Sequence, residues 1–299
     1  MTSKTILVTG ATGAAGRSYV TAFARAGHRV RAAVRPGSPT AFLSAVEVRP
    51  TDLHDAAALR AAVEGSDVVV LALAGRGRDA AADEAAITRN VARAASVAGV
   101  GHLIYTSVHR ADEPTGVPHF EVKGVLEQDL ADLVEQVTVL RPTTFADSLT
   151  APWLRDRIVE QGVLASPIGL HTPISYVATE DLARVAVASL SAEELRQHPV
   201  VVTGSRPATY ADLLPLLEQL SGRAISYEQI PAEVVRRSFG TDLAAMTAMF
   251  NSAGFAAEPS PILHDLQLVP QPVQDFLRES WTPPSDPTPG AARLTGRAG

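Results

Sequence analysis

The residues Lys4-Thr5-Ile6-Leu7-Val8-Thr9-Gly10-Ala11-Thr12-Gly13-Ala14-Ala15-Gly16 decide the fold. Lys4 to Val8 forms a short apolar run of the kind that a buried parallel strand shows. It passes straight into a turn with glycines at 10, 13 and 16. A helical pattern follows, with Tyr19, Val20 and Phe23 on one side and Gly27 as its stop. A glycine-rich turn between a buried strand and a helix lets a dinucleotide pyrophosphate approach the backbone. The helix N-terminus then supplies free N–H groups and a partial positive charge. The residues expected along that approach are Gly10, Thr12, Gly13, Ala14, Ala15 and Gly16. A tight strand–helix turn with no ligand is the plainer reading of the same residues.

His28 to Arg35 reads as a second strand. Folds that bind NAD place an acidic residue at the end of this strand to hold the ribose diol. Here no Asp or Glu occurs before Glu47, and Arg35 stands at the strand end ahead of the turn Pro36-Gly37-Ser38. A guanidinium can grip a ribose 2′-phosphate through two N–H groups and stack on adenine, so NADPH is expected in preference to NADH. The alternative is a solvent-facing arginine. Val46 to Val48 is a third short strand, followed by Asp52-Leu53. Asp52 can accept from the adenine amino group while Leu53 covers the ring, or Asp52 can cap the helix that begins near Asp55.

Ala56 to Val63 is that helix, and Asp67 to Leu73 is a fourth strand. It leaves through Ala74-Gly75-Arg76-Gly77-Arg78, small enough for a nicotinamide ribose to lie against the backbone. A long helix over Ala80 to Ala98, a strand over His102 to Ser107, a helix from His119 to about Leu133 and a strand over Val137 to Leu140 complete the series. The alternation predicts an α/β fold, a doubly wound parallel Rossmann sheet, with ligands at the carboxyl ends of its strands. Ser107, Gly75, Arg35 and the glycine turn should therefore meet in one crevice. His119 and Lys123 are spaced i, i+4 and share a helix face, and Glu127 lies one turn on, where it can pair with Lys123.

In this order, Gly10-Ala11-Thr12-Gly13-x-x-Gly16, the Arg35 strand end, Asp52-Leu53, Tyr105-Thr106-Ser107, the Lys123 helix and Leu140-Arg141-Pro142-Thr143 resemble the atypical short-chain dehydrogenases. The branch most similar is the NmrA-like one, which holds NADPH-dependent quinone reductases, triphenylmethane-dye reductases and NADP-sensing regulators. The likeness runs over roughly residues 4 to 230. It implies an oxidoreductase whose cofactor site also includes Ala74, Gly75, Thr106, Lys123, Pro142 and Thr143, and a smaller C-terminal α/β lobe that closes over substrate. Lys123 would hold the nicotinamide ribose, and Ser107 would assist at the reacting oxygen.

One departure from the superfamily is specific. Ordinary members carry a tyrosine four residues before the lysine as proton donor, whereas here that position is His119, and Tyr105 lies inside a strand. Lys123, Ser107 and His119 are thus the candidate catalytic groups. His119, with an ordinary pKa of about 6.5, can donate a proton near neutral pH or sit as an exposed first-turn residue. Hydride transfer to a simple ketone leaves a localised alkoxide that needs a good donor, while a conjugated acceptor spreads the charge. The expected reaction is therefore NADPH-dependent reduction of a quinone-like or other conjugated carbonyl acceptor. A non-catalytic NADP(H) sensor and a biosynthetic ketoreductase are the alternatives.

The 299 residues are 46% apolar with a net charge of −6 and no cysteine. That charge argues against nucleic acid and anionic membrane as partners, and the missing cysteines exclude disulfides, thiol nucleophiles and cysteine–metal sites. No other metal site is expected. No apolar run nears the ~18 residues of a membrane span and no leader is apparent, so a cytoplasmic monomer or homodimer is expected. The organisation expected is a nucleotide-binding domain over 1–150, a substrate lobe over 151–282 partly interleaved with it, and a disordered tail over 283–299 rich in proline and glycine. Phe145 and Trp153 could wall a flat substrate or belong to the core. Gly169 to Val177 reads as a short strand pair, and Thr179 as the cap of the next helix.

Overall fold

The computed structural model describes residues 2–75, 79–204 and 206–281. The expected tail and Arg76-Gly77-Arg78 lie outside the described residues. The first half runs β1 (Thr5–Thr9), α1 (Ala14–Arg25), β2 (Arg29–Val34), β3 (Glu47–Pro50), α2 (Ala56–Val63), β4 (Val68–Leu71), α3 (Ala80–Val97), β5 (His102–Thr106), α4 (Pro118–Leu133) and β6 (Val137–Pro142). Then come β7 (Thr144–Phe145), α5 (Pro152–Gln161), β8 (Val163–Ser166), β9 (Tyr176–Val177), α6 (Thr179–Ala188) and β10 (Val200–Val202). The chain continues through α7 (Tyr210–Ser221), β11 (Ser226–Gln229), α8 (Ala232–Phe239), α9 (Thr241–Ala253), α10 (Ile262–Asp265) and α11 (Val273–Ser280).

Seven strands form one sheet in the order β10-β6-β5-β4-β1-β2-β3, every pair parallel. The strand order reverses between β1 and β4, with Val8 opposite Ala32 on one side and Val70 on the other. Successive β1 side chains face opposite sides of the sheet, and both sides are apolar. Ile6 and Val8 join a core with Tyr19, Phe23, Leu182 and Val185 of α1 and α6. Leu7 joins Leu59, Val91 and Leu126 under α2, α3 and α4.

The C-terminal half returns to this sheet twice, through α6 packed on α1 and through β10 beside β6. Its remaining elements build a third apolar cluster around Leu154, Leu164, Leu213, Phe250, Phe255 and Leu277, which also takes Phe120 of α4.

Three local expectations are corrected. The segment 169–177 is not a strand pair: β9 pairs with β7, and Ile174 bridges separately to Ala208 and Phe255. Thr179 is the first residue of α6 and not its cap. The α6 start is capped from outside, by Asp147, which accepts from the Thr179 backbone N–H at 2.9 Å and its hydroxyl at 2.7 Å. Asp55, and not Asp52, caps α2, accepting from the N–H groups of Ala57 and Ala58. A nearer carboxylate wins because only it faces the orphan amides of the first turn.

His102 is buried in β5 with Nε2 2.8 Å from the Thr138 hydroxyl of β6. Burial, helped by the charges of Arg196 and Lys4, lowers its pKa from 6.5 to about 4. The folded chain therefore binds fewer protons than the unfolded chain below the unfolded pKa, so stability is full above pH 6.5 and falls as pH drops towards 4. Urea unfolding of the chain and of His102→Gln should diverge as pH is lowered from 7 to 5. The parent should lose roughly 2 kcal/mol more than the variant over that interval; parallel loss would contradict the assignment.

Candidate functional site

The β1–α1 turn is shaped by close backbone approach. Gly10 has φ +66°, and a Cβ there would stand 2.0 Å from the Ala72 carbonyl oxygen at the end of β4. A Cβ on Gly16 would stand 2.1 Å from the Gly10 carbonyl oxygen. These two glycines are filled in by protein. Gly13 differs: it is exposed, and its Cβ would meet only the Gly10 oxygen at 3.4 Å. Gly13 is the N-cap of α1 and makes no side-chain cap, so the first amides of the helix face the open side of the turn. That concavity, with amides and a helix N-terminus and no Cβ at Gly13, fits a pyrophosphate.

All the parallel strands end on the same edge, which gathers the expected residues there. The exposed Arg35 follows β2, and Gly37 at φ +80° gives the Arg35–Ser38 turn its tight return. Asp52 follows β3 and accepts from the His54 backbone N–H at 2.9 Å, while the Leu53 carbonyl accepts from Asn90. Ala74 is exposed after β4. Gly75 has no side chain for another reason: a Cβ would fall 1.6 Å from the Ala80 oxygen, inside the start of α3. Thr106 shares its hydroxyl with Tyr19 at 2.9 Å, and Pro142 and Thr143 are buried at the end of β6, with Thr143 bonded to Thr203.

The candidate catalytic groups are each held by a carboxylate. Lys123 is 8% exposed, and its Nζ donates to Glu84 Oε1 at 2.5 Å and to the Thr106 carbonyl at 3.1 Å. It sits 5.4 Å above the ring of Tyr105, whose hydroxyl burial pushes well above its ordinary pKa. Lys123 does not pair with Glu127, contrary to the helix-spacing expectation. Glu127 instead accepts the Ser107 hydroxyl and a two-pronged pair from Arg141 at 2.9 and 2.6 Å. Arg141 also reaches Asp112 at 2.8 Å and holds that carboxyl below the usual range. Ser107 is 3% exposed and spends its proton on Glu127, leaving its oxygen as an acceptor.

His119 is turned towards the C-terminal half. Its Nδ1 lies 2.6 Å from Asp242 Oδ2, and its backbone N–H donates to Oδ1 of the same carboxylate at 3.0 Å. Burial lowers its pKa, only partly offset by Asp242, so the ring is neutral near neutral pH. Phe145 and Trp153 are not brought into one wall. Phe145 packs against the sheet core, and Trp153 is 69% exposed on the first turn of α5. Among the described residues no group of His, Asp and Glu could hold a metal ion, and no helix is long and apolar enough to cross a membrane.

Glu84, Arg141 and Asp242 were not anticipated. Glu84 had a signal: it lies i, i+3, i+4, i+7 with Ile87, Thr88 and Val91 on the buried face of α3, where an unpaired carboxylate would be costly. Arg141 and Asp242 depend on which elements meet in the fold, which spacing along one helix does not encode.

A doubly wound parallel sheet with an open glycine cradle at its switch point defines the class of fold. The NmrA-like family model matches residues 2–277, and the chain belongs to that family. It is similar to the (4-alkanoyl-5-oxo-2,5-dihydrofuran-3-yl)methyl phosphate reductase of Streptomyces griseus, 32% identical over 232 residues, covering 77% of this chain and 79% of that protein. It is also similar to the photosystem II assembly factor Ycf39 of Synechocystis, 26% identical over 294 residues, 92% of this chain and 90% of that one. The solved Citrobacter triphenylmethane reductase complexed with NADP(H) superposes with a TM-score of 0.76 at 24% identity, covering 92% of this chain and 99% of that one. That likeness shows the fold.

Replacing Arg141 by Met strands the buried Glu127 carboxylate with Ser107 alone. Denaturant unfolding should show a loss of about 3 kcal/mol or more, because removing one partner leaves an uncompensated buried charge. The pair Arg141→Met with Glu127→Leu should recover a large part of it. Additive losses in the double variant would contradict the pairing.

Proposed function

We propose that the chain is an NADPH-dependent reductase of conjugated carbonyl acceptors, quinones or α,β-unsaturated lactones. The Gly13 cradle takes the pyrophosphate, Arg35 takes the ribose 2′-phosphate, and Lys123 holds the nicotinamide ribose. Ala14, Ala15, Thr12, Asp52, Leu53, Pro142 and Thr143 complete the walls around them. The bound cofactor supplies a hydride. The protein orients the acceptor beneath its C-terminal lobe.

The observation that carries this choice of acceptor is the state of the three proton-capable groups. The Ser107 hydroxyl donates to Glu127, the Lys123 ammonium is engaged by Glu84 and the Thr106 carbonyl, and burial lowers the pKa of His119 even beside Asp242. Among the described residues, none of the three is placed as the dedicated acid that a localised alkoxide demands. Hydride delivered to the β-carbon of an unsaturated lactone leaves an electron pair shared with the conjugated carbonyl, and solvent supplies the proton afterwards. The dihydrofuran ring in the name of the Streptomyces relative's substrate is an acceptor of this kind.

The same closed ion pairs favour a second reading, a chain that binds NADP(H) and signals its state to a protein partner; the assembly-factor relative suits it. A binding titration with NADPH, NADP⁺, NADH and NAD⁺, followed by turnover of a quinone, an α,β-unsaturated lactone and an aliphatic ketone, separates them. The expected result is NADPH preferred, both conjugated acceptors reduced and the ketone left alone. Ketone turnover without the others would contradict the acceptor class. Tight cofactor binding with no turnover at all would transfer the case to the sensor.

A further inference from the structure

Two guanidinium groups at the adenosine end of the crevice have no carboxylate partner among the described residues: Arg35 and Arg17. Arg17 lies in the first turn of α1, directly after the third glycine of the turn, and is exposed. Its Nε donates to the Thr12 carbonyl at 3.1 Å, so the side chain folds back over the glycine turn and not out along the helix. Its Cζ stands 3.7 Å above the centre of the Phe42 ring. Phe42 sits on the short turn Ala41–Leu43 that follows β2 and the Arg35 turn, and it is 42% exposed, one of few large apolar side chains left in solvent.

The stack bridges the two segments that frame this end of the crevice, the β1–α1 turn and the β2–β3 connection. A guanidinium lying flat on a ring keeps its N–H edge free, because cation–π attraction uses the face and hydrogen bonding uses the rim. Nε is spent on Thr12, which fixes the plane, and the terminal nitrogens remain available. A phosphate monoester carries close to two negative charges near neutral pH and offers three acceptor oxygens, more than one guanidinium satisfies.

We propose that Arg17, held flat by Phe42 and Thr12, forms with Arg35 a two-arginine clamp for the 2′-phosphate of the dinucleotide, and that Phe42 is the residue that pre-organises it. This deepens the NADPH reading and rests on it. Arg17 is then a specificity-determining residue, and Phe42 a positioning residue acting through it.

Dissociation constants for NADPH and NADH, measured by titration on the full chain, test this with Arg17→Ala, Arg17→Gln, Phe42→Leu, Arg35→Ala and the double Arg17→Ala/Arg35→Ala. Each Arg17 variant should bind NADPH roughly tenfold to a hundredfold more weakly, the size of a lost charge-assisted bond, with NADH within about twofold of the parent. Phe42→Leu should shift the NADPH/NADH ratio in the same direction by less, Arg35→Ala should keep some preference, and the double variant should keep none. An unchanged ratio in both Arg17 variants, in a parent that prefers NADPH, would overturn the clamp and leave Arg17 as a brace for the turn. Equal weakening of both cofactors would overturn it too. A parent that binds neither cofactor, or binds both equally, would overturn the NADPH reading first and this inference with it.

Discussion

Three backbones meet at Gly10. Its positive φ turns the chain at the end of β1, its missing side chain lets it lie against Ala72 at the end of β4, and Gly16 of α1 lies in turn on its carbonyl. Any Cβ at positions 10 or 16 would run into backbone, which cannot move aside as the tip of a side chain can. This contact sets the distance of α1 from the sheet and leaves the helix N-terminus uncovered at Gly13. The cradle is open because its neighbours are shut. The gathering of the other strand ends around it follows from parallel register alone.

At the far end of the crevice, electrostatics has been settled within the protein. Lys123 and Glu84 form one buried pair, and Arg141, Glu127 and Ser107 form a second group beside it. Buried pairs of this kind contribute little net stability, but the loss of one member is costly. Their effect is positional: the lysine is pinned to the end of β5 through Thr106 and to α3 through Glu84, with one N–H left to donate. The His119–Asp242 contact adds a joint between α4 and α9, so the first turn of α4 is tied to the C-terminal half.

The alternating strands and helices, their sequential order and the carboxyl-end crevice were legible because the strands are short and mostly apolar and many of the elements are closed by a glycine or proline. The glycine turn was legible because close backbone approach admits only one residue type. The partners of charged side chains were less so. Glu127 is spaced to meet Lys123 along one helix, yet Arg141 from β6 offers two N–H groups in its plane, while Glu84 reaches Lys123 from α3. A bidentate guanidinium beats a flexible ammonium one turn away. Asp147 could not be foreseen as the cap of α6, since the two are joined only by tertiary packing. The stack of Arg17 on Phe42 was silent for the same reason.

The central claim is that no protein side chain donates a proton while hydride is transferred. The pH dependence of kcat/KM for NADPH-driven reduction of an α,β-unsaturated lactone tests it most directly, followed from about pH 6 to about pH 9 on the parent and on His119→Ala. The account predicts a flat profile in both. A fall with rising pH around neutrality in the parent, absent from the variant, would contradict it and make His119 the acid.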